Sequence, residues 1–163
     1  MTVAESSDGS SDEAQAGLHP AVRQGSDVAA LYDVAYQGGY HDAVVAALAA
    51  HWRAGGATVL TAVDLIARNG ATARADMLVV PPSGEPLILV EVKTGDDPQY
   101  TGGQRIVYPM AQIGGHVNSP NSKIIQLGFL PGEWLPPMEL VTIYKKNARS
   151  KFRWLTHPDP IVR

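Results

Sequence analysis

The stretch Leu87-Ile88-Leu89-Val90-Glu91-Val92-Lys93 decides how this chain folds. It is apolar at successive positions until its end, the pattern of a central strand covered on both faces. Immediately upstream, Pro81-Pro82-Ser83-Gly84-Glu85-Pro86 turns the chain, and Arg74 to Val80 forms a second apolar run. Before that lie the Asn69-Gly70 turn signal and a β-rich segment, Ala57 to Ile66. Further out, His41 to Arg53 carries Val44, Val45, Leu48, Ala49 and Trp52 at helical spacing, and Gly55-Gly56 stops it. Downstream, Gln99 to Ile113 reads as a helix broken or kinked at Pro109. Lys123 to Phe129 reads as a strand, and Met138 to Tyr144 with Lys151 to Leu155 as a final hairpin. The expected class is therefore α/β: an αβββαβ core with a mixed central sheet flanked by helices, followed by a C-terminal β-hairpin extension.

Composition narrows the function. The 163 residues are 45% hydrophobic and 18% charged, the balance of one soluble globular domain. Without cysteine there is no thiol catalysis, thiolate metal site or iron–sulfur cluster. No apolar run approaches the ~20 residues needed to cross a bilayer, and Met1 to Ser11 is acidic and polar rather than a classical signal peptide. A soluble protein, acting in the cytoplasm of its producer or of a target cell, is expected. Residues 1–27 hold five acids and one base among Ser, Gly and Ala, and read as a disordered acidic leader to a domain of residues 28–163. The formal net charge of −3 seems to exclude a nucleic-acid partner, yet residues 28–163 alone carry 12 bases and 11 acids. Between residues 140 and 163 six bases face one acid; Lys145, Lys146, Arg149, Lys151 and Arg153, interleaved with Phe152 and Trp154, form a candidate track for a phosphate backbone.

Charges also stand where a core would not tolerate them: Asp76 in one apolar strand, Glu91 and Lys93 at the end of the next. A turn centred on Ser83 and Gly84 pairs residues whose numbers sum to 167, which sets Asp76 opposite Glu91. Directly opposed residues have Cβ atoms ~4.5–5.5 Å apart, so two carboxylates there require a cation or a proton between them. A divalent metal resolves the conflict, and hard oxygen ligands with open positions suit Mg²⁺ or Mn²⁺. Alternation puts Lys93 on the face of Glu91, where its ammonium can orient a water or stabilise developing negative charge. Such a site suits phosphodiester hydrolysis. The competing reading is a salt bridge at strand ends, but one lysine cannot cancel two opposed carboxylates.

Asp76 followed by Glu91-Val92-Lys93 on the next strand, in a helix–strand–strand–strand–helix–strand order, resembles the PD-(D/E)xK superfamily of restriction-endonuclease-like nucleases over about residues 30–130. The resemblance implies that Asp76 and Glu91 bind Mg²⁺, with Mn²⁺ able to substitute, that a backbone carbonyl near Val92 joins them, that Lys93 is the catalytic lysine, and that DNA is the substrate. Ala75 stands where the family places a proline, a position the chemistry does not use. Gln104 and Tyr108, four apart on the following helix, can both face the site and are similar to the Gln-x-x-x-Tyr element of exonuclease-type members. The run Tyr36-Gln37-Gly38-Gly39-Tyr40-His41-Asp42, with Glu91-Val92-Lys93-Thr94-Gly95 and Gln104 to Pro109, is similar to nuclease effector domains of bacterial polymorphic toxins. That likeness implies an antibacterial DNase with a cognate immunity protein; no organic cofactor or membrane partner is implied. A housekeeping or defence nuclease of the same fold, of repair or restriction type, and an inactive protein-binding module on that fold are the alternatives.

Other residues read more plainly. His41 is expected as a surface imidazole at a helix start rather than a group near the metal, and Asp42 as a first-turn acid favoured by the helix dipole. His116 lacks partner histidines at metal-binding spacing, and Gly102-Gly103-Gln104-Arg105 lacks the Lys-Ser/Thr ending of a phosphate loop.

Overall fold

A computed structural model describes residues 41–93, 99–144 and 153–157 of the chain. The expected leader and the bases Lys145, Lys146, Arg149 and Lys151 lie outside the described residues. Helix α1, His41–Ala54, buries the five residues of its predicted stripe, Val44, Val45, Leu48, Ala49 and Trp52. Strands β1 (Thr58–Ala67), β2 (Thr72–Val80) and β3 (Leu87–Lys93) follow. Helix α2 spans Gly102–Ile113, strand β4 is the short Val117–Asn118, and a 3₁₀ helix covers Ser122–Leu127. Strands β5, Met138–Tyr144, and β6, Arg153–His157, complete the order.

The strands form one mixed sheet in the order β4-β1-β2-β3-β5-β6. Strand β3 pairs antiparallel with β2 and parallel with β5, so it is central, and its first six residues are all buried. On one face α1 packs over Met77, Val79, Ile88, Val90 and Val92. On the other, Val107, Tyr108 and Ala111 of α2, with Ile124 of the 3₁₀ helix, cover Leu78, Leu89 and Leu140. No helix among the described residues is long and apolar enough to cross a membrane.

Three expectations need correction. Lys123–Phe129 is not a strand. Asn121 caps a helix there by accepting the Lys123 N–H at 3.0 Å, Gly128 ends it at φ +92°, and the three-residue spacing of buried Ile124 and Leu127 fits a 3₁₀ turn. The parallel partner of β3 is instead Met138–Tyr144. What looked like the first arm of an appended hairpin is thus a core strand, and β6 alone is the extension, antiparallel to β5. Finally, α2 runs unbroken through Pro109. The N–H that proline lacks would have bonded the carbonyl of Arg105, an exposed residue on the solvent side of the helix, where water can serve instead.

The helix starts at Gly102 because Thr101 and Gln104 form a reciprocal capping box. Gly103 brings it against β2: a Cβ at that position would lie 2.1 Å from the Thr72 carbonyl oxygen.

Candidate active site

Strands β2 and β3 pair at Met77↔Val90, Leu78↔Leu89 and Val79↔Ile88, the register expected from the turn. One step further, at Asp76 and Glu91, the two strands part. The Val92 N–H, which a continued ladder would direct to the β2 backbone, donates to Oδ2 of Asp76 at 2.7 Å. On the other face Tyr108 enters the fork, its hydroxyl 2.6 Å from Oε1 of Glu91 and 3.4 Å from the Arg74 carbonyl.

A break in alternation aims the two acids at different partners. Leu60 and Val63 of β1 both face α2, as do Ala75 and Leu78 of β2, although the members of each pair lie an odd three positions apart. The break coincides with Ala62, whose φ of +52° lies in the left-handed region. As a result Asp76 turns toward α1, where His41 Nε2 lies 3.1 Å from its Oδ2 and 3.0 Å from the carbonyl oxygen of Val92. The expected face-to-face opposition of carboxylates is therefore replaced by two linked half-sites, although the register is as expected. Asp42, exposed in the first turn, holds Nδ1 of the same imidazole at 3.2 Å. Between two carboxylates and a carbonyl, His41 is pushed up to about 9, chiefly by its hydrogen bond to Asp76. The surface imidazole expected from the sequence is thus a half-buried bridge between α1, β2 and β3.

The second half-site surrounds Glu91, whose side chain is only 4% exposed. Gln104 donates to Oε2 at 2.8 Å, Tyr108 donates to Oε1, and the Lys93 ammonium lies 3.1 Å from Oε2. Lys93 also donates to Oε1 of Gln104 at 3.1 Å and stands 5.7 Å from the ring centre of Tyr100. Gln104 is oriented by the capping box, since its Oε1 also accepts the Thr101 N–H at 2.9 Å. Tyr100 packs edge-on against Tyr108 and hydrogen-bonds Thr142, the β5 residue paired with Glu91. Burial, then the nearby charge of Asp76, holds Glu91 above the usual carboxylate range despite these donors. Burial and the Glu91 charge likewise raise Tyr108, which stays a neutral donor.

The structure brings Asp76, Glu91, Val92, Lys93, Gln104 and Tyr108 together at the fork. Arg153 opens β6, while Lys145, Lys146, Arg149 and Lys151 fall outside the described residues. Sequence reasoning undervalued His41 and passed over Tyr100. The Thr101-Gly102-Gly103-Gln104 capping box was a usable signal, because it fixes the helix start and places Tyr100 just ahead of it.

Among the described residues, no group of three or more His, Cys, Asp or Glu could hold a metal ion. The donor chemistry nevertheless fits a hard cation. Asp76 Oδ2 and the Val92 carbonyl oxygen already converge on one positively charged N–H, and Mg²⁺ needs only one or two carboxylates beside its waters. No protein-family model, curated protein or solved structure matches this chain.

Proposed function

We propose that this protein is a Mg²⁺-dependent nuclease that hydrolyses DNA phosphodiester bonds at the β2–β3 fork. The observation that carries the reading is the pairing of two half-sites across one fork: Asp76 with the Val92 carbonyl on one side, Glu91 with Lys93 on the other. Asp76 and the Val92 carbonyl would hold the metal, joined by Glu91 once Lys93 or Gln104 yields its Oε2. Bound there, Mg²⁺ supplies charge neutralisation at the scissile phosphate and acidification of a water.

The chain's own groups do the rest. Lys93 keeps an ammonium at the fork, positioned by Gln104 and the Tyr100 ring, where it can orient a nucleophilic water or offset charge building on the phosphate. Gln104 and Tyr108 hold both oxygens of Glu91, so that its carboxylate is oriented before substrate arrives. The charge arithmetic agrees with a nucleic-acid substrate, because five of the 16 acids lie in residues 1–27 and Asp76 and Glu91 would be offset by metal.

Role as an antibacterial toxin domain extends this reading and rests on the sequence likeness alone. Cytoplasmic expression should then be toxic and rescued by a neighbouring immunity gene product, whereas a repair or restriction-type nuclease would need no such rescue. The nuclease reading itself is tested by incubating purified protein with supercoiled plasmid. Cleavage with Mg²⁺, abolished by EDTA, is expected; a plasmid and a single-stranded oligonucleotide both left intact with Mg²⁺ and with Mn²⁺ would leave a binding module on this fold.

A further inference from the structure

A cleft of about 300 Å³ lies between α1 and the β1–β2 pair and opens onto the fork. Asp76 and His41 line one end. Its walls are mostly small and apolar, Ala46 and Ala49 from α1 and Ala62 from β1 at the point where its backbone turns left-handed, with Val45, Thr61 and the exposed carboxylate of Asp42 completing the lining. Arg53 lines it from the last turn of α1, twelve residues beyond His41 or ~18 Å along the axis. The Arg53 side chain reaches the Val59 carbonyl at 2.7 Å, three residues along β1 from Ala62 and hence ~10 Å from the fork. A strand rising ~3.4 Å per phosphate covers that distance in about three nucleotides, fewer if extended.

We propose that this cleft binds one nucleotide of a single nucleic-acid strand beside the scissile phosphate, with Arg53 holding a phosphate further along the same strand. The inference rests on the nuclease reading and adds the strand's path and the strandedness of the substrate. A volume at the lower limit of small-molecule pockets admits roughly one nucleotide and excludes a duplex. The alanine walls suit the apolar faces of a sugar and base, and Arg53 complements the phosphate charge.

Arg53 could instead act as an edge guard. Strand β4 pairs with β1 only at Ile66 and Ala67, and on the rest of that edge Arg53 covers the Val59 carbonyl while Lys123 covers that of Thr61 at 3.2 Å. Lys123 therefore makes the same kind of contact without lining the cleft, and serves as the control.

The test is fluorescence anisotropy of a labelled oligothymidylate, with Ca²⁺ in place of Mg²⁺, against wild type and the exposed-site variants Arg53→Gln, Ala46→Phe and Lys123→Gln. Arg53→Gln should weaken binding about tenfold and reduce the slope of log affinity against log salt by about 0.7, one single-strand phosphate contact. Ala46→Phe, which fills the cleft, should weaken binding similarly, Arg53→Lys should restore much of it, and Lys123→Gln should match wild type. Wild-type affinity for single strands should exceed that for a blunt duplex. If wild type nicks plasmid while Arg53→Gln and Ala46→Phe bind as wild type does, the cleft assignment is overturned and the nuclease reading stands. If wild type neither binds nor nicks, both are overturned.

Discussion

Nε2 of His41 stands 3.1 Å from Oδ2 of Asp76, joining the first residue of α1 to the acid at which β2 leaves β3. This contact gives the metal-free protein a pH signature. The folded-state pKa of His41 is raised from 6.5 to about 9, so the stabilisation from its protonation is fully present below about pH 6.5 and is lost as pH rises through about 9. The imidazole is more than a third exposed, and solvent screening limits the effect to about 1 kcal/mol. An NMR titration of the His41 ring should show the high pKa in wild type and a value nearer 6.5 in Asp76→Asn.

The same contact makes metal binding proton-linked. A cation taking Asp76 and the Val92 carbonyl must displace the imidazolium, so Mn²⁺ affinity should rise between pH 6.5 and 9. Calorimetry at the two pH values checks this, and His41→Ala should flatten the dependence.

Glu91 has the opposite relation to stability. Its folded-state pKa is raised by burial, so its protonated form favours folding, and stability falls as pH rises above the carboxylate range. Glu91→Gln should therefore remove that fall in stability between pH 5 and pH 8 in the metal-free protein, with Lys93 retaining Oε1 of Gln104 as acceptor. Cleavage should be lost in the same variant. Thermal unfolding at pH 5 and pH 8 reads the first effect and plasmid nicking the second.

Much of this arrangement was legible in the sequence, for identifiable reasons. The stripe on α1, the limits of β3 and the register summing to 167 depend on local periodicity and one turn, and all three appear as read. The aim of Asp76 was not legible, because it depends on the left-handed backbone at Ala62, an alanine with no local turn signal. Nor was the identity of the strand parallel to β3. Lys123–Phe129 and Met138–Tyr144 have similar apolar content, and only Asn121 before the first and Gly128 within it mark it as a 3₁₀ turn. His41 was misjudged because its partners lie 35 and 51 residues away, beyond the reach of spacing arguments.

Tyr108 is fully buried, and its hydroxyl makes a short bond to a buried carboxylate. Tyr108→Phe keeps the packing and removes that donor, which should lower stability by about 1–3 kcal/mol and push Glu91 further up. Denaturant unfolding and the pH profile of cleavage report the two consequences.

Close approach at Gly103 offers a test of how α2 positions the site. Gly103→Ala places a methyl 2.1 Å from the Thr72 carbonyl oxygen, so α2 must shift, at a cost of about 1–3 kcal/mol. Gln104 and Tyr108 move with it, and cleavage should fall although no side chain of the fork has changed. Substitution at Gly102, where a Cβ meets nothing within 4 Å, should be tolerated.

Single-turnover cleavage of an end-labelled DNA by wild type, Asp76→Asn and Lys93→Ala in Mg²⁺ decides whether the fork is the active site. Asp76 and Lys93 sit on opposite half-sites of the fork, so each substitution alone should reduce the rate by at least about a hundredfold while circular dichroism shows the fold retained. Cleavage at the wild-type rate in either variant would contradict the assignment of the fork as the active site.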